Sequence, residues 1–149
     1  MIIRNAKIGD AAEIQRLAQE LGYDCSEGDI LSRLKSLSEA KSSVVFVILT
    51  ENEANRLIGW VQASRIETLE AGPRSEILGL VVSRESRQKG IGKKLIKVIE
   101  DWTREIGLER LIVRSNLLRE ESHVFYRKIG FSKTKDQSVY AKEINLNEG

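Results

Sequence analysis

The stretch that most constrains this chain runs from residue 76 to residue 113. Glu76-Ile77-Leu78-Gly79-Leu80-Val81-Val82 is almost unbroken in apolar character, the pattern of a central strand covered on both faces. After a polar connection, Gly90 opens a segment that sets Ile91, Leu95, Val98, Ile99, Trp102 and Ile106 on one helical stripe, with Lys93, Lys94, Lys97, Asp101 and Arg104 largely off it. Gly107 supplies a helix stop, and Leu111-Ile112-Val113 reads as a further buried strand. Strand, helix and strand in that order imply a parallel pair joined by a right-handed crossover, so the fold class is α/β.

The flanking segments extend the sheet. Ile2-Ile3-Arg4 reads as a short strand, and Asp10 with Glu13 resembles a capping box opening a helix that carries Ala12, Ile14, Leu17, Ala18 and Leu21 and ends at Gly22. Ser26 and Asp29 repeat that signal before Ile30, Leu31, Leu34 and Leu37, after a short loop with Tyr23, Asp24 and Cys25. Residues 44–50 and 57–68 are β-branched and apolar around a polar turn at 51–56, which predicts an antiparallel pair. The only proline, Pro73, lies in a polar segment between strand-like runs, and Gly79 signals a bulge or a close backbone approach. Residues 120–128 predict a short helix stopped by Gly130, and 131–144 a last hairpin. The expected architecture is a mixed, mostly antiparallel sheet of about six to seven strands with about four helices and one parallel pair at its centre. A chain of 149 residues without repeats or a linker suits one domain, residues 1–149.

Composition excludes several classes of function. No apolar stretch approaches the ~18 residues of a membrane span, and the start lacks a basic region followed by a long apolar one, so a cytoplasmic location is expected. Cys25 is the only cysteine, which leaves no intrachain disulfide and no multi-cysteine zinc site, and no metal is expected. His123 beside Ser122 lacks the strand and elbow context of a hydrolase nucleophile. A net charge of +2 offers no broad basic face, so neither nucleic acid nor membrane is an expected partner.

Positive charge is concentrated instead where the apolar strand feeds the helix, in Arg87-Gln88-Lys89-Gly90-Ile91-Gly92 and Lys93. Free amides at a helix start point outward with the positive end of the helix dipole behind them, and glycines let a phosphate approach closely. The P-loop pattern would need Gly at Arg87 and Ser or Thr at Lys94, and the dinucleotide pattern Gly at Leu95, so neither applies. A small nucleic-acid binder using 84–94 is a further reading, but no aromatic stacking platform stands beside it.

Arg87, Gly90 and Gly92, placed after a strand, resemble the acetyl-coenzyme A signature of the GNAT superfamily of N-acetyltransferases. Phe125-Tyr126-Arg127-Lys128-Ile129-Gly130-Phe131 is similar to that family's second motif, and the element order from Ile2 to Ile144 resembles the family's order. The resemblance implies that backbone groups of Leu80, Val81 and Val82 pair with the pantetheine arm of acetyl-coenzyme A like an added strand. It implies that Arg87, Gln88, Lys89, Gly90, Ile91, Gly92 and Lys93 hold the pyrophosphate, and that Asn116 hydrogen-bonds the pantetheine arm. Arg84 departs from the family, in which many members carry proline there.

Direct acyl transfer needs a neutral amine, yet a lysine-like amine is less than ~0.1% neutral at pH 7, a penalty of about 4 to 5 kcal/mol. A base therefore helps, and Glu76 occupies a position similar to one from which some members supply it, through water. Tyr126 resembles the family's acid, which protonates the leaving thiolate. Around the acceptor would stand the Tyr23 loop, the 65–75 connection and the final hairpin, with Asp24, Glu67 and Glu70 available to a cationic amine. The resemblance implies acetyl transfer to a primary amine on a small molecule or a protein, and a homodimer formed through an edge strand or the last hairpin. A coenzyme A sensor without turnover is the competing class of function.

Overall fold

The computed structural model describes residues 1–52, 56–114 and 120–147, with the backbone alone of Glu120 and Glu121. The chain divides into two compact units, Met1–Arg114 and Ser115–Gly149.

The first unit contains β1 (Ile2–Asn5), α1 (Ala11–Glu20), α2 (Glu27–Glu39), β2 (Ser43–Leu49), β3 (Leu57–Thr68), β4 (Gly72–Val82), α3 (Ile91–Glu105) and β5 (Leu111–Val113). The strands lie in the order β1-β2-β3-β4-β5. The first three pairings are antiparallel, and β4 runs parallel to β5 with α3 as the crossover, as the sequence predicts, but among the described residues this pair lies at the end of the sheet, not at its centre, because no strand follows β5 on its far side. Among the described residues the sheet has five strands, not six to seven.

Strand alternation divides the core into two faces. Leu17 of α1 and Leu34 of α2 pack with Val47, Leu49, Leu57 and Val81. The neighbouring residues Ile48 and Gly59 face α3, where a Cβ on Gly59 would stand 3.1 Å from Leu95 Cδ1 and 2.9 Å from the Val81 carbonyl oxygen. Gly59 is there because α3 and β4 leave no room for a side chain. Leu17, Ile48, Leu95 and Ile99 are fully buried, each contributing roughly 1.5–3 kcal/mol. The helical stripe also misses Thr103, whose hydroxyl donates 2.7 Å to the Ile99 carbonyl and accepts from the Ser75 hydroxyl, 2.9 Å away beneath α3.

The start of α1 corrects one expectation. Asp10 does not cap the helix through its side chain. Its carboxylate accepts from Arg4 at 2.8 and 3.0 Å and from the Lys7 amide at 2.7 Å, partners that take it away from the helix amides. Glu13 likewise faces elsewhere, accepting from the Leu57 amide at 3.0 Å, while Arg16 donates 2.9 Å to the Leu57 carbonyl and tethers α1 to β3. The Arg16 hydrogen bond holds Glu13 below the ordinary carboxylate range against the opposing effect of burial. The other helix signals stand. Gly22, at φ +84, ends α1, with Tyr23 N–H donating to the Ala18 carbonyl. Ser26 and Asp29 exchange reciprocal 3.0 Å bonds at the head of α2.

The 65–75 connection is mostly strand. β3 continues to Thr68 and β4 begins at Gly72, with Pro73 opposite Glu67, so a turn of residues 69–71 with Gly72 at φ +74 closes the hairpin. Proline is tolerated this close to a strand start.

In the second unit, α4 (Glu120–Lys128) ends as predicted at Gly130, which has φ +101. The predicted hairpin at 131–144 is absent: no strand is present there, and Val139 and Tyr140 are about nine-tenths exposed. Alternating polarity can assign faces, but a strand also needs a ladder partner. Among the described residues no helix is long and apolar enough to cross a membrane.

Candidate active site

The unusual strand is β4. It pairs with β5 only at Ser75, Glu76 and Ile77, so from residue 78 to 82 one of its edges has no strand partner among the described residues. On its other edge the register slips: Gln62 faces Gly79 while Ala63 faces Ile77, leaving Leu78 as the extra residue of a bulge. Leu78 is 53% exposed, and Leu80 and Val82 are half-buried, so β4 is not covered on both faces as its apolar run predicts. Gly79 supplies the close approach its sequence position signals. A Cβ there would lie 2.8 Å from Trp60 Cζ3 and 3.0 Å from Cη2, because the indole lies across the backbone.

Beyond β4 and a short 3-10 turn, Arg84–Ser86, the chain makes two left-handed turns, at Gln88 (φ +62) and Gly90 (φ +79), and enters α3 at Ile91. The bond from Lys94 N–H to the Gly90 carbonyl, 3.1 Å, follows three amides, Ile91, Gly92 and Lys93, that no preceding helical turn can satisfy. Left-handed residues in a turn gather amides into an anion-binding concavity, and the side chains of Arg87, Gln88, Lys89 and Lys93 are exposed around it. Arg87 Nε reaches back to the Val82 carbonyl at 3.4 Å, a long bond that ties the loop to the strand end. Arg84 has a definite role here: its amide donates 3.1 Å to Glu20 Oε2 and its guanidinium 2.8 Å to the Glu20 carbonyl at the end of α1. A proline could make neither bond.

Glu76 is 5% exposed. Its Oε1 accepts 2.6 Å from Arg114 Nε and its Oε2 stands 3.4 Å from Arg74 Nη2. Arg74 also donates 3.1 Å to Thr68 Oγ1, and its buried Nε has no partner among the described residues. Glu76 pairs with Ser64 and Gly79 with Gln62, two residues apart on β3, so both lie on the sheet face that carries Trp60.

On that face is a cavity of about 320 Å³. The loop after α1 (Tyr23, Asp24, Cys25), α2 (including Arg33), Trp60 and Gln62 of β3, and residues 78–81 of β4 line it. Sequence reading found the Tyr23 loop but missed Arg33, Trp60 and Gln62. Only the β2–β3–β4 register would have revealed the last two. Glu67, a second candidate acid, pairs with Arg65 at 2.9 Å instead.

Tyr126 belongs to the second unit, its ring edge-on to Phe125 at 5.2 Å and to Phe131 at 5.7 Å. Asn116 lies outside the described residues. Among the described residues no group of three or more His, Cys, Asp or Glu is placed to hold a metal.

Comparison with known proteins agrees with this geometry. The family model "Acetyltransferase (GNAT) family" matches residues 11–131. The uncharacterized N-acetyltransferase YhdJ of Bacillus subtilis is 30% identical over 122 residues, covering 81% of this chain and 84% of the relative. An aminoglycoside N(6')-acetyltransferase type 1 of Stenotrophomonas maltophilia is 27% identical over 143 residues, covering 93% and 90%. Among solved structures, an aminoglycoside N-acetyltransferase, AAC(6')-Iy, in complex with a bisubstrate analog built on coenzyme A superposes with a TM-score of 0.84 at 19% identity, covering 96% of this chain and 98% of that one. With four-fifths of its length matched by the family model and a relative 30% identical over 81% of it, the chain belongs to the GNAT family of acetyltransferases.

Proposed function

We propose that the chain, acting as one acetyltransferase domain over 1–149, binds acetyl-coenzyme A along β4 and the start of α3 and transfers its acetyl group to a primary amine. One observation carries this reading: the β4 edge that has no strand partner from 78 to 82 among the described residues runs directly into the left-handed turn and the outward helix-start amides of α3. A strand edge can pair with an extended amide-bearing arm, and a helix N-terminus suits a diphosphate. In this reading Leu80, Val81 and Val82 offer backbone groups to the pantetheine arm. Arg87, Gln88, Lys89, Gly90, Ile91, Gly92 and Lys93 hold the pyrophosphate, and Asn116 steadies the arm. The sites fit the cofactor because they supply a ladder edge and cationic donors in the order its parts require.

Bound there, acetyl-coenzyme A supplies an activated acyl group as a thioester. The amine nitrogen bonds to the acyl carbon, the carbon–sulfur bond breaks, one amine proton leaves and the thiolate gains one. Glu76, on the same face as the cavity, takes the proton through water, and Arg74 and Arg114 fix its carboxylate. Tyr126 donates to the thiolate. A small-molecule amine fits the aminoglycoside-acetylating relative. A cytoplasmic location and a homodimer formed through an edge strand belong to the same proposal.

The test is steady-state turnover with acetyl-coenzyme A and a panel of amines, paired with calorimetry. Tyr126→Phe should lower kcat by about 10²-fold with cofactor affinity nearly intact, and Glu76→Gln should flatten the pH profile of kcat/KM. Wild-type turnover in Tyr126→Phe removes the acid role, and an unaltered profile in Glu76→Gln removes the base. Tight cofactor binding with no turnover on any amine would make the protein a sensor instead.

A further inference from the structure

We infer that the acceptor is a small primary amine carrying a single positive charge on a compact apolar body, and not a polycation. This rests on the proposed acetyl transfer, because the cavity acquires meaning as an acceptor site from its β4 wall. Residues 78–81 line it and include the bulge next to the stretch assigned to the pantetheine arm.

The cavity contains one carboxylate, Asp24, and one guanidinium, Arg33. Both are exposed, and among the described residues neither makes a hydrogen bond or ion pair, Arg33 acting only through its field on the Asp29 carboxyl, so both can meet a ligand. A single ammonium can meet Asp24. A second or third ammonium on the same molecule would find no further carboxylate among the lining residues and would face Arg33, a like-charge cost. Neutral polar capacity comes from Gln62, whose side-chain amide makes no hydrogen bond among the described residues.

The rest of the lining is apolar or aromatic. Tyr23 and Trp60 face it together with aliphatic side chains of α1, α2 and β2, and the exposed Leu78 stands at its β4 wall. Such a surface gains from covering hydrocarbon and gains little from a sugar ring bearing hydroxyls and amines. A volume of about 320 Å³ lies at the low end of the ~300–1,000 Å³ typical of small-molecule sites, which limits the body to a compact one. Trp60 sets the boundary: its ring lies across Gly79 at the bulge, and its Nε1 has no hydrogen-bond partner among the described residues, so packing holds it there. Trp60→Phe therefore removes wall area without breaking a hydrogen bond.

The experiment has two stages whose failures differ. Calorimetry with acetyl-coenzyme A comes first, and absence of binding overturns the transfer reading itself. Steady-state assays then compare 2-phenylethylamine and hexylamine with spermidine and neamine. The two monoamines should exceed both polycations in kcat/KM by at least about tenfold. Asp24→Asn should raise KM for 2-phenylethylamine roughly tenfold with kcat little changed, and Trp60→Phe should raise it several-fold. Arg33→Glu should narrow the gap by improving spermidine. Cofactor binding together with preferential use of neamine or spermidine overturns the inference while leaving acetyl transfer standing. So does an unchanged KM in both Asp24→Asn and Trp60→Phe.

Discussion

The two halves of the proposed site are built in opposite ways. The cofactor side is one continuous stretch, from β4 through the turns at Gln88 and Gly90 into α3, and most of its working groups are backbone amides and carbonyls. The proposed acceptor cavity draws on both of the first two helices, the loop between them and three strands, and the groups it would offer a ligand are mainly side chains. A backbone device depends on local conformation, and residue types with special conformations mark it. A cavity depends on which side chains the sheet register brings together, and each can change while the fold persists. One fold can thereby keep a cofactor and vary its acceptor.

The largest expected effect breaks the cofactor half alone. Gly90 sits at φ +79 with open space where a Cβ would go, so a substitution there acts through backbone conformation and not through a clash. A left-handed residue costs roughly 1–2 kcal/mol when it is not glycine, and more for a β-branched one. Gly90→Val should relax the turn, misalign the amides of Ile91 and Gly92, and weaken acetyl-coenzyme A binding about a hundredfold, equivalent to ~2.8 kcal/mol. Calorimetry reads this directly. Undiminished affinity would mean that the helix start is not where the diphosphate sits.

The same division explains what could be read before the structure. The β4–α3–β5 crossover, the helix stops at Gly22, Gly107 and Gly130, and the Ser26–Asp29 box are local signals, and all appear in the structure. Asp10 misled because Arg4 and Lys7, not the helix amides, captured its carboxylate. Residues 131–144 misled because alternation carries no information about a ladder partner. Trp60 and Gln62 were silent because nothing near them in sequence indicates that they face Gly79 and the Tyr23 loop. Gly79 alone announced the junction, since a glycine in an otherwise apolar strand marks a place where something else must fit.

That junction provides the intermediate test. Gly79→Ala would place a methyl 2.8 Å from Trp60 Cζ3, and the ring must swing into the cavity or the strand must shift. Overpacking of this kind costs about 1–3 kcal/mol of stability, measurable by urea unfolding. Acceptor kcat/KM should fall roughly tenfold while acetyl-coenzyme A affinity stays within about threefold. The reverse pattern, lost cofactor affinity with intact acceptor use, would assign Trp60 to the cofactor half and dissolve the distinction.

The smallest effect concerns the link between the halves. Arg84 joins the loop that leads to the turn at Gln88 and Gly90, the proposed diphosphate site, with the end of α1, next to the loop that walls the cavity, through one backbone and one side-chain bond to Glu20. Both bonds are exposed, so together they contribute no more than about 1 kcal/mol. Three variants separate them. Arg84→Ala keeps the amide, Glu20→Gln keeps an oxygen acceptor but removes its charge, and Arg84→Pro removes both bonds. If the amide bond to Glu20 orders the diphosphate turn, acetyl-coenzyme A affinity should fall two- to fivefold in Arg84→Pro, by roughly 0.4–1 kcal/mol, and less in Arg84→Ala. Proline also restricts the unfolded chain and can stabilise where the backbone tolerates it, so a rise in melting temperature together with lower affinity is consistent with the link. Equal affinity in all three variants would show that the cofactor turn holds its shape without help from α1, and that the two halves of the site are energetically independent.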